Sequence, residues 1–241
     1  MLMHDVEPAV RGKPGEEERN RLTDLAGLRS RLYRWLASAF LSPDPERRAR
    51  LQAEGQALLA QGLDDYPFSP HLRRAVTALQ SAQGDDIATA ETHTSLFNLP
   101  ADRASCPPLG CDYLSERGGT KFDEMARIDG FYQKIGIEPR AYIRDRPDHL
   151  SVELEALAII TLVEADARKE GQEEVVQAAH QGVERFLRLH LLCWFPRFRE
   201  RVRAHDPIGM YACLADAVHA FVAHDHALVR AMLQQGQEQD G

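Results

Sequence analysis

The chain is predicted to be all-α, with about eight or nine helices in one compact unit and a hinge ahead of the best-marked helix. Three observations carry this. Apolar residues recur at helical spacing along most of the 241 residues, while no run alternates as a half-buried strand would. Asp44-Pro45, Ser69-Pro70 and Asp206-Pro207 each put a capping side chain before a proline suited to the first helical turn. Pro147-Asp148-His149-Leu150 opens a long apolar run, with Leu150, Leu154 and Leu157 on one stripe. An N-cap is expected at Asp148. Val152, Ile159 and Val163 fall on other faces, so this helix is expected to be buried on more than one side.

In chain order, residues 1–20 are polar, with Pro8, Pro14 and a Glu16-Glu17-Glu18 run, and read as a disordered tail. They lack the apolar centre of an export signal. A first helix is expected from about Leu22 to Leu41, with Leu25, Leu28, Leu32, Trp35, Leu36 and Phe40 as its apolar side. Helices opened by Asp44 and Ser69 follow, then one over about Asp85 to Leu99. Pro107-Pro108-Leu109-Gly110 and Gly118-Gly119 interrupt the pattern between 100 and 120, and long ordered loops are often functional. A short helix near Asp123–Ile135 ends at Gly136, so 21–136 form an N-terminal helical part. Residues 137–147 are the hinge, and 148–241 the C-terminal part. The last of these adds helices near Glu173–Leu189, His190–Ala204 (with a kink at Pro196) and Ile208–Leu233.

The net charge of −8 argues against a nucleic-acid surface and leaves room for a basic partner. No apolar stretch approaches the roughly 20 residues that span a bilayer. A cytoplasmic location is therefore expected. Cys193 and Cys213 read as small core residues; Cys106 and Cys111 frame the Pro-Pro loop and could bind metal only with ligands from elsewhere. No cofactor is expected.

Several segments together resemble the TorD/DmsD/NarJ-type chaperones that mature molybdenum oxidoreductases. Thr92-His93-Thr94-Ser95-Leu96-Phe97 is similar to the family's segment ending in Leu-Phe, with His93 where tyrosine is common. Pro107-Pro108 with Tyr113 beyond resembles its Pro-Pro loop, although Leu109 replaces the usual aromatic residue. Phe131-Tyr132 to Gly136, Pro147-Asp148-His149-Leu150 with Glu153-Leu154, and His190 to Phe198 resemble further motifs in the family's order. The resemblance weakens over the first 90 or so residues. It implies a chaperone, not an enzyme. Its partner would be the apo catalytic subunit of a molybdoenzyme of the dimethyl sulfoxide reductase class, the twin-arginine leader of that subunit, or both. The protein would be mainly a monomer, with a domain-swapped dimer open to it.

Asp148 and His149 are the first candidates for the interaction site, beside the simpler reading of a cap and a hinge histidine. Glu153, at i+4 from His149, shares its face and could receive a leader arginine; a solvated carboxylate is the alternative. Pro147, Tyr113 and Tyr132 are placed in the same region, while Phe131, Trp194, Pro196 and Phe198 read as packing. Arg144 and Arg146 would discourage a cationic ligand at the connection. The rival reading is an all-α metal-dependent phosphohydrolase using His205-Asp206 and His224-Asp225. Against it stand the absent His-Glu-x-x-His and glycine-rich phosphate motifs.

Overall fold

The computed structural model describes residues 15–82, 86–98, 106–114, 120–136, 146–206 and 208–239, and among them it is helical with no strand. Helix α1 is Glu16–Ala39, opening earlier than the expected Leu22. Glu16, Glu17 and Glu18 fill its first turn, where carboxylates meet the positive end of the helix dipole. Residues 16–20, expected to belong to the tail, are helical. Helix α2, Pro45–Leu59, starts as expected, with the Asp44 carboxylate accepting from the Arg47 N–H at 2.8 Å. Helix α3, Ser69–Ser81, has Phe68 at the cap position and Ser69 inside, so the serine does not cap.

Helix α4, Asp86–His93, runs into a π-helical turn at Thr94–Asn98. A single 3-10 turn, Gly110–Asp112, follows. Helix α5, Lys121–Lys134, is capped by Thr120, whose side chain accepts from the Asp123 N–H while the Asp123 carboxylate accepts from the Thr120 N–H. Gly136, at φ +70°, ends it in the left-handed region.

Helix α6 is Leu150–Glu170, closed by Gly171 at φ +70°. Its cap is His149 rather than the expected Asp148, because the imidazole Nδ1 takes the Ser151 N–H at 3.2 Å and leaves the carboxylate for other partners. Val152 is buried, but Ile159 and Val163 are 37% and 46% exposed, so one stripe of α6 faces outward against expectation. Helix α7, Glu173–Phe186, a π turn Leu187–Leu191 and helix α8, Leu192–His205, follow without a loop. The break expected near His190 is thus a π turn, and Pro196 lies inside α8. Helix α9, Met210–Gln239, starts after Gly209; the Asp206 carboxylate still serves it by accepting from Ile208 and Ala212 N–H groups. The hinge residues 137–145, Arg144 included, lie outside the described residues.

The long pairing of α1 with α6 makes the centre of the bundle, and the Ser30 hydroxyl donates to the Ala158 carbonyl at 2.7 Å across it. A charged network is buried between α1, α6, α7 and α9. Arg29 bonds both Asp225 and Glu164, the Tyr33 hydroxyl donates to Asp225 at 2.6 Å, and Glu164 is also bonded to Arg168 and His180, each at 2.9 Å. Burial opposes the Glu164 charge, but Arg29, His180 and Arg168 outweigh it and hold the carboxyl at about 2. A folded value below the ordinary 4.5 makes this contribution present above pH 4.5 and lost as pH falls toward 2. Asp225→Ala, which leaves the buried Arg29 with Glu164 alone and the Tyr33 hydroxyl without its acceptor, is expected to cost about 3–5 kcal/mol in urea denaturation near neutral pH. Loss of less than about 1 kcal/mol would place Arg29 in solvent and contradict the network.

Candidate functional site

The Pro-Pro loop and the residues before α6 form one unit. Pro107 and Pro108 have no N–H to offer, so the loop contributes a carbonyl: the Leu150 N–H donates to the Pro108 oxygen at 2.9 Å. Two residues on, the Gly110 N–H donates to the Asp148 carbonyl at 2.9 Å, which pairs Leu109 with His149 in a short antiparallel bridge. The Asp148 side chain completes the join. Its carboxylate accepts the Cys111 N–H at 3.0 Å and receives both Nε and Nη2 of Arg146 at 2.9 and 3.0 Å. Burial resists this charge, but the Arg146 guanidinium and the Cys111 amide overcome it and hold the carboxyl below its usual range. Arg146, read from sequence as repelling cationic ligands, is instead partly neutralised by Asp148.

His149 sits partly exposed at the edge of this unit. Burial of the ring lowers it to about 4 despite the neighbouring Asp148, so it is neutral at pH 7, as its accepting Nδ1 requires.

Behind the bridge lies a second layer. Glu153 is completely buried and accepts from Trp194 Nε1 at 3.1 and 3.3 Å. Burial first, then the nearby Asp148 and Glu124 carboxylates, raise Glu153 well above the ordinary carboxylate range and favour its neutral form. The Trp194 indole stacks on Tyr113 with ring centres 5.7 Å apart. Its edge presses on Gly110, where a Cβ would stand 3.0 Å from Nε1. Arg197 donates to the Tyr113 carbonyl at 3.1 Å, and Arg201 lies over the Tyr113 ring. The Tyr132 hydroxyl donates to the Pro147 carbonyl at 2.9 Å, tying α5 to the same turn.

All six residues singled out by sequence therefore converge. Their exposure differs from expectation: Asp148, Glu153 and Tyr132 are fully buried, Tyr113 and Pro147 nearly so, and His149 alone reaches the surface. Glu153 does not share an open face with His149, because the Trp194 N–H needs an acceptor in the core and Glu153 supplies it. In this conformation it offers no carboxylate to an incoming arginine. Gly110 and the Cys111 amide were missed as parts of the site. The signal available for them was a glycine one residue from a Pro-Pro-Leu turn, which marks close approach of backbone to a neighbour.

Residues 37–200 match the nitrate reductase delta subunit family. The chain belongs to that family. It is 27% identical over 214 residues to chaperone protein TorD of Vibrio cholerae serotype O1 (strain El Tor Inaba N16961), covering 86% of this chain and 94% of that one. The chaperone protein TorD of Aliivibrio fischeri is 26% identical over 212 residues, covering 86% and 96%. A crystal structure from Archaeoglobus fulgidus described as a redox enzyme maturation protein shares 22% identity at a TM-score of 0.44, covering 90% of this chain and 98% of that one. As a nitrate reductase delta subunit family member, the protein is a chaperone and not an enzyme.

In this family member the His-Asp pairs serve the fold. Asp225 is held by Arg29 and Tyr33, and His224 packs edge-on against Tyr66. Asp206 caps α9, and His205 Nδ1 meets the Arg201 carbonyl at 2.9 Å. Among the described residues no three His, Cys, Asp or Glu side chains are grouped to hold a metal. The Cys106 and Cys111 thiols are both buried, and burial pushes them up to about 11 and about 12, which keeps them protonated.

Two variants test the second layer. The raised folded value of Glu153 makes its stabilisation complete below about pH 4.5 and lost as pH rises through that folded value. Glu153→Gln keeps an oxygen for Trp194 and removes this loss. Its stability in urea relative to the wild type should therefore increase from pH 6 to pH 9. Glu153→Ala strands the indole N–H at a cost of about 1–3 kcal/mol, with cavity cost added. Gly110→Ala should cost about 1–3 kcal/mol, because the indole, held between Glu153 and Tyr113, cannot yield. A Gln variant that loses ground at high pH would contradict the neutral Glu153.

Proposed function

We propose that this chaperone binds the apo catalytic subunit of a molybdenum oxidoreductase of the dimethyl sulfoxide reductase class, its twin-arginine leader, or both. It assists cofactor insertion and holds back export until the client has folded. The observation that carries the reading is the convergence of Pro108, Tyr113, Tyr132, Pro147, Asp148 and Glu153 behind the partly exposed His149, in a chain of the nitrate reductase delta subunit family. A surface built from so many interlocked groups is preorganised, so a client would meet it without an ordering cost in the chaperone. Asp148 and Glu153 act through this shape: one fixes the turn, the other fixes Trp194 behind it. His149 and the outer edge of Arg146 are the groups that touch the client.

A leader of this class combines a basic end with an apolar segment. The net charge of −8 supplies long-range attraction for the basic end, and a neutral His149 adds no opposing charge. The site of action is the cytoplasm, before export, and no helix among the described residues is long and apolar enough to cross a membrane. The working form is mainly a monomer, with exchange of the parts on either side of 137–147 as the route to a dimer.

Calorimetric titration of the full chain with the twin-arginine leader of the molybdoenzyme encoded beside it, and with the purified apo-subunit, tests this reading. His149→Ala is expected to weaken binding about tenfold with helical content unchanged. Asp148→Ala should weaken it further, with a fall in stability. Unchanged affinity in the His149 variant would move the contact elsewhere. Absence of binding to both leader and apo-subunit would overturn the function.

A further inference from the structure

A groove of about 530 Å³ runs between α5 and α7. It exists because the facing positions are small: Ala126 and Gly130 on α5, Ala178 and Gly182 on α7. Neither glycine is required by its own chain. Both have helical backbone, a Cβ on Gly130 would meet nothing within 4 Å, and one on Gly182 would only brush Ile160 at 3.9 Å. The floor is apolar, from Phe131, Ile135 and Leu189.

Beyond the lining residues each helix carries an exposed apolar side chain. Val175 continues the α7 stripe of Ala178, Gly182 and Arg185, and is 37% exposed. At the other end, Glu124 and His190 meet at 3.3 Å, so the start of α5 lies beside the π turn Leu187–Leu191. There Phe122 stands 79% exposed, one turn before Ala126. The π turn lets Leu189 line the groove while His190 contacts Glu124, and such turns recur at functional sites.

The rim has the sign opposite to the chain as a whole. Arg127, Lys134 and Arg185 line it, and the sole acidic lining residue, Glu124, is paired with Arg127 at 3.1 Å. Lys134 and Arg185 have no ion-pair partner among the described residues, on a chain of net charge −8. An apolar trough with two uncompensated cations at its edge fits an amphipathic helix whose apolar stripe is bordered by carboxylates. From Ala178 to Leu189 the trough extends about 17 Å at 1.5 Å per residue, room for about 11 helical residues.

We infer that the α5–α7 groove docks an acidic amphipathic helix of a partner protein, its apolar side over Gly130 and Gly182 and its carboxylates on Lys134 and Arg185. The basic leader proposed for the His149 face has the wrong charge for this surface. The inference stands on the groove alone and survives failure of the leader reading.

The test is a titration of isotope-labelled full-length chain, followed by amide chemical shifts. The probe is a helical peptide of about 11 residues with leucines three and four apart and glutamates on both flanks; its lysine counterpart is the control. The glutamate peptide should shift Gly130, Gly182 and Leu189 in a saturable way, and the lysine peptide should not. Lys134→Glu with Arg185→Glu, and separately Gly130→Leu, which fills the trough with a better helix former, should each weaken binding about tenfold or more. The fold in both is checked by unchanged shifts at Leu109 and His149. Equal binding of both peptides, shifts confined to the His149 face, or no saturation by millimolar peptide would each overturn the inference. Concentration-dependent shifts of the same groove amides without peptide, with dimer in sedimentation, would assign the groove to a second copy and overturn it as well.

Discussion

The Asp148 carboxylate is the interaction on which the candidate site depends. One oxygen pair binds a side chain two residues earlier and a backbone amide from a distant loop, so a single group fixes both the turn into α6 and the course of the Pro-Pro segment. A proline-rich loop has few amide donors of its own and cannot secure itself by regular pairing. Here Gly110 and Cys111 supply the donors the prolines lack, and both give them to Asp148. With the loop so held, Gly110 packs on the Trp194 edge and Tyr113 covers the indole face. His149 is thereby left as the partly exposed member of the unit.

Helix α6 carries two buried carboxylates in opposite states. Glu153 has a neutral donor, the Trp194 indole, with other carboxylates nearby, and burial drives it toward the protonated form. Glu164 has Arg29, Arg168 and His180 around it and stays ionised against the same burial. The difference lies in the partners, since both are removed from water. The Glu164 end locks α6 to α1, α7 and α9, and the Glu153 end holds the Trp194 indole behind the Pro-Pro loop.

Much of the architecture was legible because it is written in local chemistry. Asp44-Pro45 starts α2 and Gly136 stops α5, each for a reason confined to a few residues. The order of short motifs also brought the six site residues together before any geometry was known. What could not be read were properties set by neighbours distant in sequence. Asp148 looked like a cap until the Cys111 amide claimed it; Glu153 looked accessible until Trp194 was found opposite. Arg29 sits in an apolar stripe with nothing local to announce Asp225 or Glu164 as partners. The π turn at 187–191 has no cap signature, so its placement of His190 beside Glu124 was equally hidden.

The central claim is that loop and turn form one rigid unit held by Asp148. Hydrogen exchange of the Gly110, Cys111 and Leu150 amides, in the wild type and in Asp148→Ala, tests it most directly. A single unit requires the three to open together in the wild type and to lose protection together in the variant, although Gly110 and Leu150 donate to backbone carbonyls that the substitution leaves in place. Loss confined to Cys111, with Gly110 and Leu150 still protected, would show that Asp148 satisfies one amide and organises nothing further.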